Sequence, residues 1–470
     1  MSGPLWSGWE AARATGGRLV GAEDWTASGV SIDTRTLEPG DLFVALKDQR
    51  DGHDFVPAAE KAGAAASIVA REDAGTGPRL VVPDVLEALQ RLGVASRERN
   101  AALRVGVTGS VGKTSVKEAI AAVFRAAGPA HWSVKSYNNH WGVPLTLARM
   151  PKDTERAVFE MGMNHAGEIA ALTTQVQPHI ALITRIAPAH LENLGSMEAI
   201  ADAKSEIFTG LAPDGVAVIP SDCEFAGRLA SHVSESQAAF LLEFGRAPHA
   251  AVRVLSWEDG PESGSGRFDV MGRLVNVTIP APGAHQAMNA AAVMAVCVAA
   301  GIEAGMVADV LAGLTAQAGR GASFEITLDD GGKVRVLDDS YNANPVSMAS
   351  AIATLGRYQP AGKGRRVAVL GEMLEIGETS PERHRELATH LVDARVSEVI
   401  GVGAMMEHMI GALPDSTRSH LVRSSEKAVE KLLSGLRAGD VVLIKGSNAS
   451  GVHKVVASLR NGAATAPVKG

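Results

Sequence analysis

The sequence is poor in cysteine, aromatic residues and long apolar runs. Cys223 and Cys297 are its two cysteines. They lie far apart in no metal-ligand spacing, which excludes a disulfide framework and a cysteine-built zinc site. Both read as small buried hydrophobes of a reducing compartment, so a cytoplasmic location is expected. No basic segment followed by an apolar run marks residues 1–17, so no secretory leader is expected. The most apolar stretch, residues 290–300, is too short to cross a bilayer, which takes about 20 apolar residues. Charge of one sign is also scarce: the net charge is −7 with 21% charged residues. That balance offers no basic surface for a nucleic-acid backbone, and neither nucleic acid nor membrane is an expected partner.

What is present is glycine, at 50 of 470 residues, and hydrophobic residues at 46%. The length exceeds what one core usually serves, which predicts two to three domains. Abundant glycine with few aromatics suits an α/β chain with many tight strand-to-helix turns. A first segment to about residue 100 carries a strand over 41–46 after the turn Glu38-Pro39-Gly40, a helix over 56–66 and a buried strand over 67–70. A middle segment opens with a strand over 102–107. It continues with apolar runs at 156–160, 180–184 and 216–219 between helical stretches, the signature of a mostly parallel sheet covered by helices. A third segment starts near Gly319. Strands at 334–337, 366–370, 398–402 and 441–444 with helices between them predict a second doubly wound unit.

The strongest motif is Val107-Thr-Gly-Ser-Val-Gly-Lys-Thr-Ser115, after a strand and before a helix predicted over 115–127. Glycines let backbone N–H groups curl around phosphate oxygens, Lys113 reaches the outer phosphates, and the Thr114 hydroxyl suits Mg²⁺. Thr108, Gly109, Ser110, Val111, Gly112, Lys113, Thr114 and Ser115 are therefore the nucleotide-binding candidates. Val107 stands where the strict pattern has glycine. Alone, the loop says that the chain binds a nucleoside triphosphate.

Three further stretches are candidates to complete the site. Glu160 ends a strand and is placed for Mg²⁺ beside the phosphates. His190 ends the loop Ile183-Thr-Arg-Ile-Ala-Pro-Ala-His190, and Lys204 sits among small residues on a helix. Singly, each has a plainer reading: a solvated acid, a hydrogen-bonded structural histidine, a surface lysine.

Thr108-Gly-Ser-Val-Gly-Lys-Thr-Ser115, Glu160-Met-Gly-Met-Asn-His165, Ala189-His190-Leu191 and Ala203-Lys204-Ser-Glu-Ile207 resemble the central domain of the Mur ligases, which build the peptide of peptidoglycan. In that family the first loop residue is commonly not glycine. The resemblance implies an α/β fold of three domains: residues 1–100 binding the UDP end, a central parallel-sheet ATPase domain over 101–316, and a Rossmann-like domain over 317–470. It implies ATP and two Mg²⁺ ions, with Thr114, Glu160, His190 and a carbamylated Lys204 as metal ligands. An unmodified ammonium there would repel the metal.

The resemblance spans nearly the whole chain. Ser31-Ile-Asp-Thr-Arg35 is similar to the UDP-sugar domain, so Ser31, Thr34 and Arg35 are implied contacts to uridine and phosphate. Tyr137-Asn-Asn-His-Trp-Gly-Val-Pro144 is similar to the loop holding the acyl substrate, implicating Asn138 and Asn139, with His165 nearby. Pro282-Gly-Ala-His285-Gln-Ala-Met-Asn289 is similar to the adenine-binding helix start, implicating His285 and Asn289; amide side chains suit the adenine edge.

In the C-terminal segment, Leu337-Asp-Asp-Ser-Tyr-Asn-Ala-Asn-Pro345, Val369-Leu-Gly-Glu-Met-Leu-Glu-Ile-Gly-Glu378 and Lys445-Gly-Ser447 resemble the branch that adds D-alanyl-D-alanine to UDP-N-acetylmuramoyl-tripeptide. By motif position Asp339 and Asn342 face the nucleotide, Asn342, Asn344 and Tyr341 face the incoming dipeptide, and Arg320 reaches the phosphates on domain closure. Lys113, Lys204, His190, Glu160 and Arg320 make up the implied catalytic set of a monomeric ligase. Three positions depart from the family pattern: Arg185, Gln286 and the stretch Asn448-Ala-Ser-Gly451. A folylpolyglutamate-synthase-like amide ligase shares the loop and is the alternative enzyme. A nucleotide-gated binding protein is the non-enzymatic one.

Overall fold

A computed structural model describes residues 3–462 except Lys135, Pro261 and Gln317. The end of the C-terminal unit, 463–470, and the first residue assigned to that unit therefore lie outside the described residues. Among the described residues there are four sheets: a two-stranded antiparallel ribbon of Trp6–Ser7 with Thr26–Ala27, and three larger sheets that follow one another along the chain. The N-terminal sheet runs Arg18–Val20, Arg79–Val81, Ala66–Val69, Asp41–Val44, Gly29–Ser31 across its width, parallel but for its first strand. The C-terminal sheet runs Ala322–Thr327, Lys333–Asp339, Val441–Lys445, Arg366–Gly371, Glu398–Val402, Arg418–Val422, with only the first pair antiparallel.

The central sheet sets the geometry that matters. Leu103–Thr108 lies between Arg156–Glu160 and Ile180–Ile183, all parallel, and the register pairs Val107 with Glu160 and Thr108 with Ile183. The carboxyl ends of three strands therefore stop level, and the loops leaving them share one crevice, where open α/β sheets bind ligands. Each of these strands is an almost continuous apolar run, because both sheet faces are covered. Helix Lys113–Ala127 buries Val116, Ile120, Val123 and Phe124 on one side, at helical spacing. Helix His285–Ala299 packs beside it and is buried almost all round, from Ala287 to Cys297. This is the most apolar stretch of the sequence, a core helix. The helices Glu168–Val176, Met197–Ser205 and Ala226–Ser234 cover the opposite face.

Where sequence and structure differ, the reasons are local. The helix expected over 56–66 ends at Lys61, because Gly63 turns at φ 91° and Ala66 begins the next strand. The phosphate-loop helix begins two residues earlier than expected, at Lys113. The middle sheet is not parallel throughout. Val252–Asp259, Gly264–Val270 and Arg273–Ile279 extend it as an antiparallel meander. Its one-sided burial alternates apolar and polar residues, without the continuous apolar run of a central strand.

The units touch extensively. Helix Gly142–Ala148 contributes Leu145 and Ala148 to the N-terminal core, and Trp6 Nε1 donates to Ala148 O at 2.9 Å. The central and C-terminal units meet through Arg357–Asp259, Arg335–Glu262, Ser350–His285 and His190–Glu375.

Candidate active site

The phosphate loop is shaped by its neighbours. Gly109 has φ 146°, and a Cβ there would fall 2.0 Å from Thr184 Oγ1. Gly112 has φ 84°, with Asn289 Oδ1 2.8 Å from the place of its Cβ. Side chains are thus excluded by conformation and by space at both positions. Thr184, the residue after strand Ile180–Ile183, donates to Val111 O at 2.7 Å and ties the loop down. Ser110 N donates to Arg185 O at 2.7 Å, and Ala187 N to Ser110 Oγ at 3.0 Å.

Lys113 curls back so that Nζ donates to Gly109 O at 2.7 Å. Burial lowers its proton affinity, Glu160 opposes that, and Arg320 adds to it. Thr114 Oγ1 donates to Glu160 Oε2 at 2.8 Å, and Asn138 Nδ2 to Glu160 Oε1 at 2.8 Å. Glu160 is 1% exposed, and its N–H donates to Ser133 Oγ. A buried carboxylate is thus fixed by a loop hydroxyl and an amide, directly below an anion-seeking loop. Asn139 serves the backbone, accepting from Gly142 N at 2.9 Å.

Lys204 is 1% exposed on helix Met197–Ser205. Burial drives its proton affinity well down, and the Lys113 charge adds to this. No carboxylate pairs with it among the described residues. The side-chain partner of His190 is Glu375, not Lys204. Its Nδ1 lies 2.7 Å from Glu375 Oε2, short but off the axis of a good hydrogen bond. Contact with His190 holds the Glu375 carboxyl below its usual range.

The C-terminal unit supplies the crevice's far wall. Arg320 stacks on Tyr341 at 4.1 Å and donates to Ser136 Oγ at 3.4 Å. Asp339 pairs with Lys445, which is 2% exposed, at 2.8 Å, and Lys445 also donates to Asn342 O. His285 bonds Ser350 at 2.9 Å. Protein atoms crowd its ring and lower its proton affinity, although the residue keeps an exposed face. Asn289 sits one turn on, 3.4 Å from Gln286. Gln286, Asn289, Ser115, Trp132 and Arg320 line a cavity of about 290 Å³ beside the phosphate-loop helix.

Other sequence candidates stand apart or are held by their own backbone. Asn344 caps helix Pro345–Arg357 through Ser347 N, and the Asn342 amide accepts from Ala343 N. His165 is exposed beside Glu168. Ser31, Thr34 and Arg35 sit at the end of the N-terminal sheet. Ser31 is buried, while Arg35 projects into solvent and pairs with Asp33. No group of three or more His, Cys, Asp or Glu side chains gathers as a ready-made metal site among the described residues. Sequence reasoning assigned no role to Thr184, Ser133, Ser350, Glu375 or the Lys445–Asp339 pair. Lys445 carried a signal, a lysine closing a five-residue strand that is otherwise apolar.

Fold and site define a phosphate-loop protein whose nucleotide crevice is closed by a second, Rossmann-like unit. The comparisons carry this further. Three family models match in chain order: the Mur ligase family, catalytic domain, at residues 26–105; the Mur ligase middle domain at 107–297; and the Mur ligase, glutamate ligase domain, at 324–448. The chain belongs to the Mur ligase family. It is 34% identical to the UDP-N-acetylmuramoyl-tripeptide–D-alanyl-D-alanine ligase of Escherichia coli (strain K12), covering 94% of this chain and 96% of that one. It is also 34% identical to the enzyme of the same name from Bacillus subtilis (strain 168), over 93% and 94%. A crystal structure of MurF from Acinetobacter baumannii superposes with a TM-score of 0.85 at 29% identity, over 98% of this chain and 99% of that one. MurF ligase from Thermotoga maritima in complex with ADP gives 0.76 at 27%, over 92% and 97%.

Proposed function

We propose that this chain joins D-alanyl-D-alanine to the terminal carboxylate of UDP-N-acetylmuramoyl-tripeptide at the expense of ATP. The observation that carries the reading is the buried Thr114–Glu160–Asn138 cluster under a glycine-lined phosphate loop. The names of the full-length relatives point to the same reaction. The loop N–H groups and Lys113 bind the triphosphate. Asn138 lies beside Glu160, and Arg320 approaches from the far wall. A carboxylate oxygen of the tripeptide attacks the γ-phosphorus, ADP leaves, and an acyl phosphate forms. The dipeptide amine, once it has lost a proton, attacks the acyl carbon and expels phosphate.

Thr114 and Glu160 fit Mg²⁺, which takes one or two protein oxygens and completes its shell with phosphates and water. Bound there, Mg²⁺ offsets the charge that gathers as carboxylate meets phosphate. A second ion would be held by His190 and a carbamate on Lys204. Burial favours the neutral Lys204 amine, the form that can add CO₂ and release a proton to become an anion.

Residues 1–100 take the UDP end through Ser31, Thr34 and Arg35, residues 101–316 bind ATP, and residues 317–470 bring Asp339, Asn342, Tyr341 and Asn344 to the nucleotide and dipeptide. His285, Gln286 and Asn289 face the base. The protein works as a monomer in the cytoplasm, where ATP is supplied; among the described residues no helix is long and apolar enough to cross a membrane. Release of ADP from ATP and Mg²⁺ should require both the UDP-tripeptide and D-alanyl-D-alanine. Release supported by a folate and glutamate instead, or by neither acceptor, would overturn the assignment.

A further inference from the structure

His190 and Glu375 lie on different units. His190 ends the loop that leaves central strand Ile180–Ile183, and Glu375 follows C-terminal strand Arg366–Gly371. Their side chains meet at 2.7 Å. Both backbones are left-handed, at φ 58° for His190 and φ 62° for Glu375, and neither residue is glycine. Such conformations persist where the surroundings impose them, and they cluster at functional sites. The contact continues beyond the pair: a Cβ at Gly377 would lie 3.4 Å from Glu192 Cα. The histidine loop is also anchored to the phosphate loop, through Ala187 N to Ser110 Oγ.

We propose that Glu375 is a positioning residue for His190. The carboxylate brought by the C-terminal unit stands against Nδ1, close enough for a small ring rotation to complete the hydrogen bond, and leaves Nε2 as the nitrogen free to serve the phosphate-loop site. The imidazole is then oriented only when the two units are together. A carboxylate partner fixes which ring nitrogen is available and raises its basicity, and losing such a partner typically weakens metal binding about 10–100-fold. Here that partner is delivered across a domain boundary, so assembling the site and closing the crevice become one event. The proposal rests on the reading of His190 as a ligand in the ATP site.

The test is binding, without acceptor substrates, of a non-hydrolysable ATP analogue at increasing Mg²⁺. Glu375→Ala and Glu375→Asp, whose shorter side chain falls short of the ring, should raise the Mg²⁺ midpoint about tenfold or more. Glu375→Gln, which keeps an oxygen at the same reach, should recover part of that shift. The exposed neighbour variant Glu378→Ala should match wild type, and the affinity measured without Mg²⁺ should be the same in all. A merely structural contact would change thermal stability and leave the midpoint in place. A wild-type midpoint in either Glu375→Ala or Glu375→Asp overturns the proposal. Because no acceptor is present, the outcome does not depend on which amide the enzyme makes.

Discussion

Lys204 shows what burial does to a single side chain. On a solvated helix face a lysine is a charge; burial, with the Lys113 charge nearby, weakens the hold of Lys204 on its proton. On the proposed function, removing it removes the precursor of the anionic carbamate. Lys204→Ala is expected to lose about 100-fold or more in turnover, and acetate in excess should restore part of it. Full activity in the variant would remove the carbamate from the account. His131 shows the same physics without a role in the site. Its Nε2 meets Thr146 O at 2.7 Å, and burial pushes the ring down to about 4. An unfolded chain takes up that proton below about pH 6.5, whereas the folded chain resists. The sign follows: the folded state is favoured at neutral pH and loses ground as pH falls from about 6.5 towards 4, by at most about 2 kcal/mol at pH 5. Urea midpoints at pH 7.5 and pH 5 should diverge less in His131→Gln than in wild type.

At the scale of elements, the parallel strands and the loop were legible in the sequence because the physics that forms them is local. Apolar runs such as 180–183 and 441–444 admit few readings when both sheet faces are covered. A Gly-Lys-Thr between a strand and a helix admits few as well. The meander over 252–279 went unread although its last strand alternates apolar and polar residues, because such alternation shows a half-buried strand but not that it extends an otherwise parallel sheet. Long-range pairs were equally silent. Nothing near Asp339 announces Lys445, and nothing near His190 announces Glu375. Caps mislead in the opposite direction: Asn344 is a motif residue whose amide oxygen already serves its own helix. The loop's dependence on Thr184 makes a sharp prediction. Gly109→Ala places a methyl where Thr184 Oγ1 stands and strains the backbone by roughly 1–3 kcal/mol. Nucleotide affinity should fall at least tenfold while far-ultraviolet circular dichroism stays unchanged; wild-type affinity would show that the loop has freedom the packing denies.

For the whole molecule, the arrangement joins two chemical requirements. Phosphorylating a carboxylate needs concentrated positive charge, which the phosphate loop, Lys113 and Arg320 provide around Glu160. Protecting the resulting acyl phosphate needs water excluded, and the C-terminal unit stands over the crevice through Arg320, Ser350 and Glu375. Helix Gly142–Ala148 ties the loop over 137–141 to the N-terminal core, and on the proposed function this puts the UDP end and the reacting end on one scaffold. The central claim is that a carboxylate oxygen becomes part of phosphate. It is tested most directly by labelling the tripeptide's terminal carboxylate with ¹⁸O and weighing the phosphate released during ligation. One ¹⁸O in each phosphate from fully labelled substrate is the predicted result; phosphate free of label would contradict it.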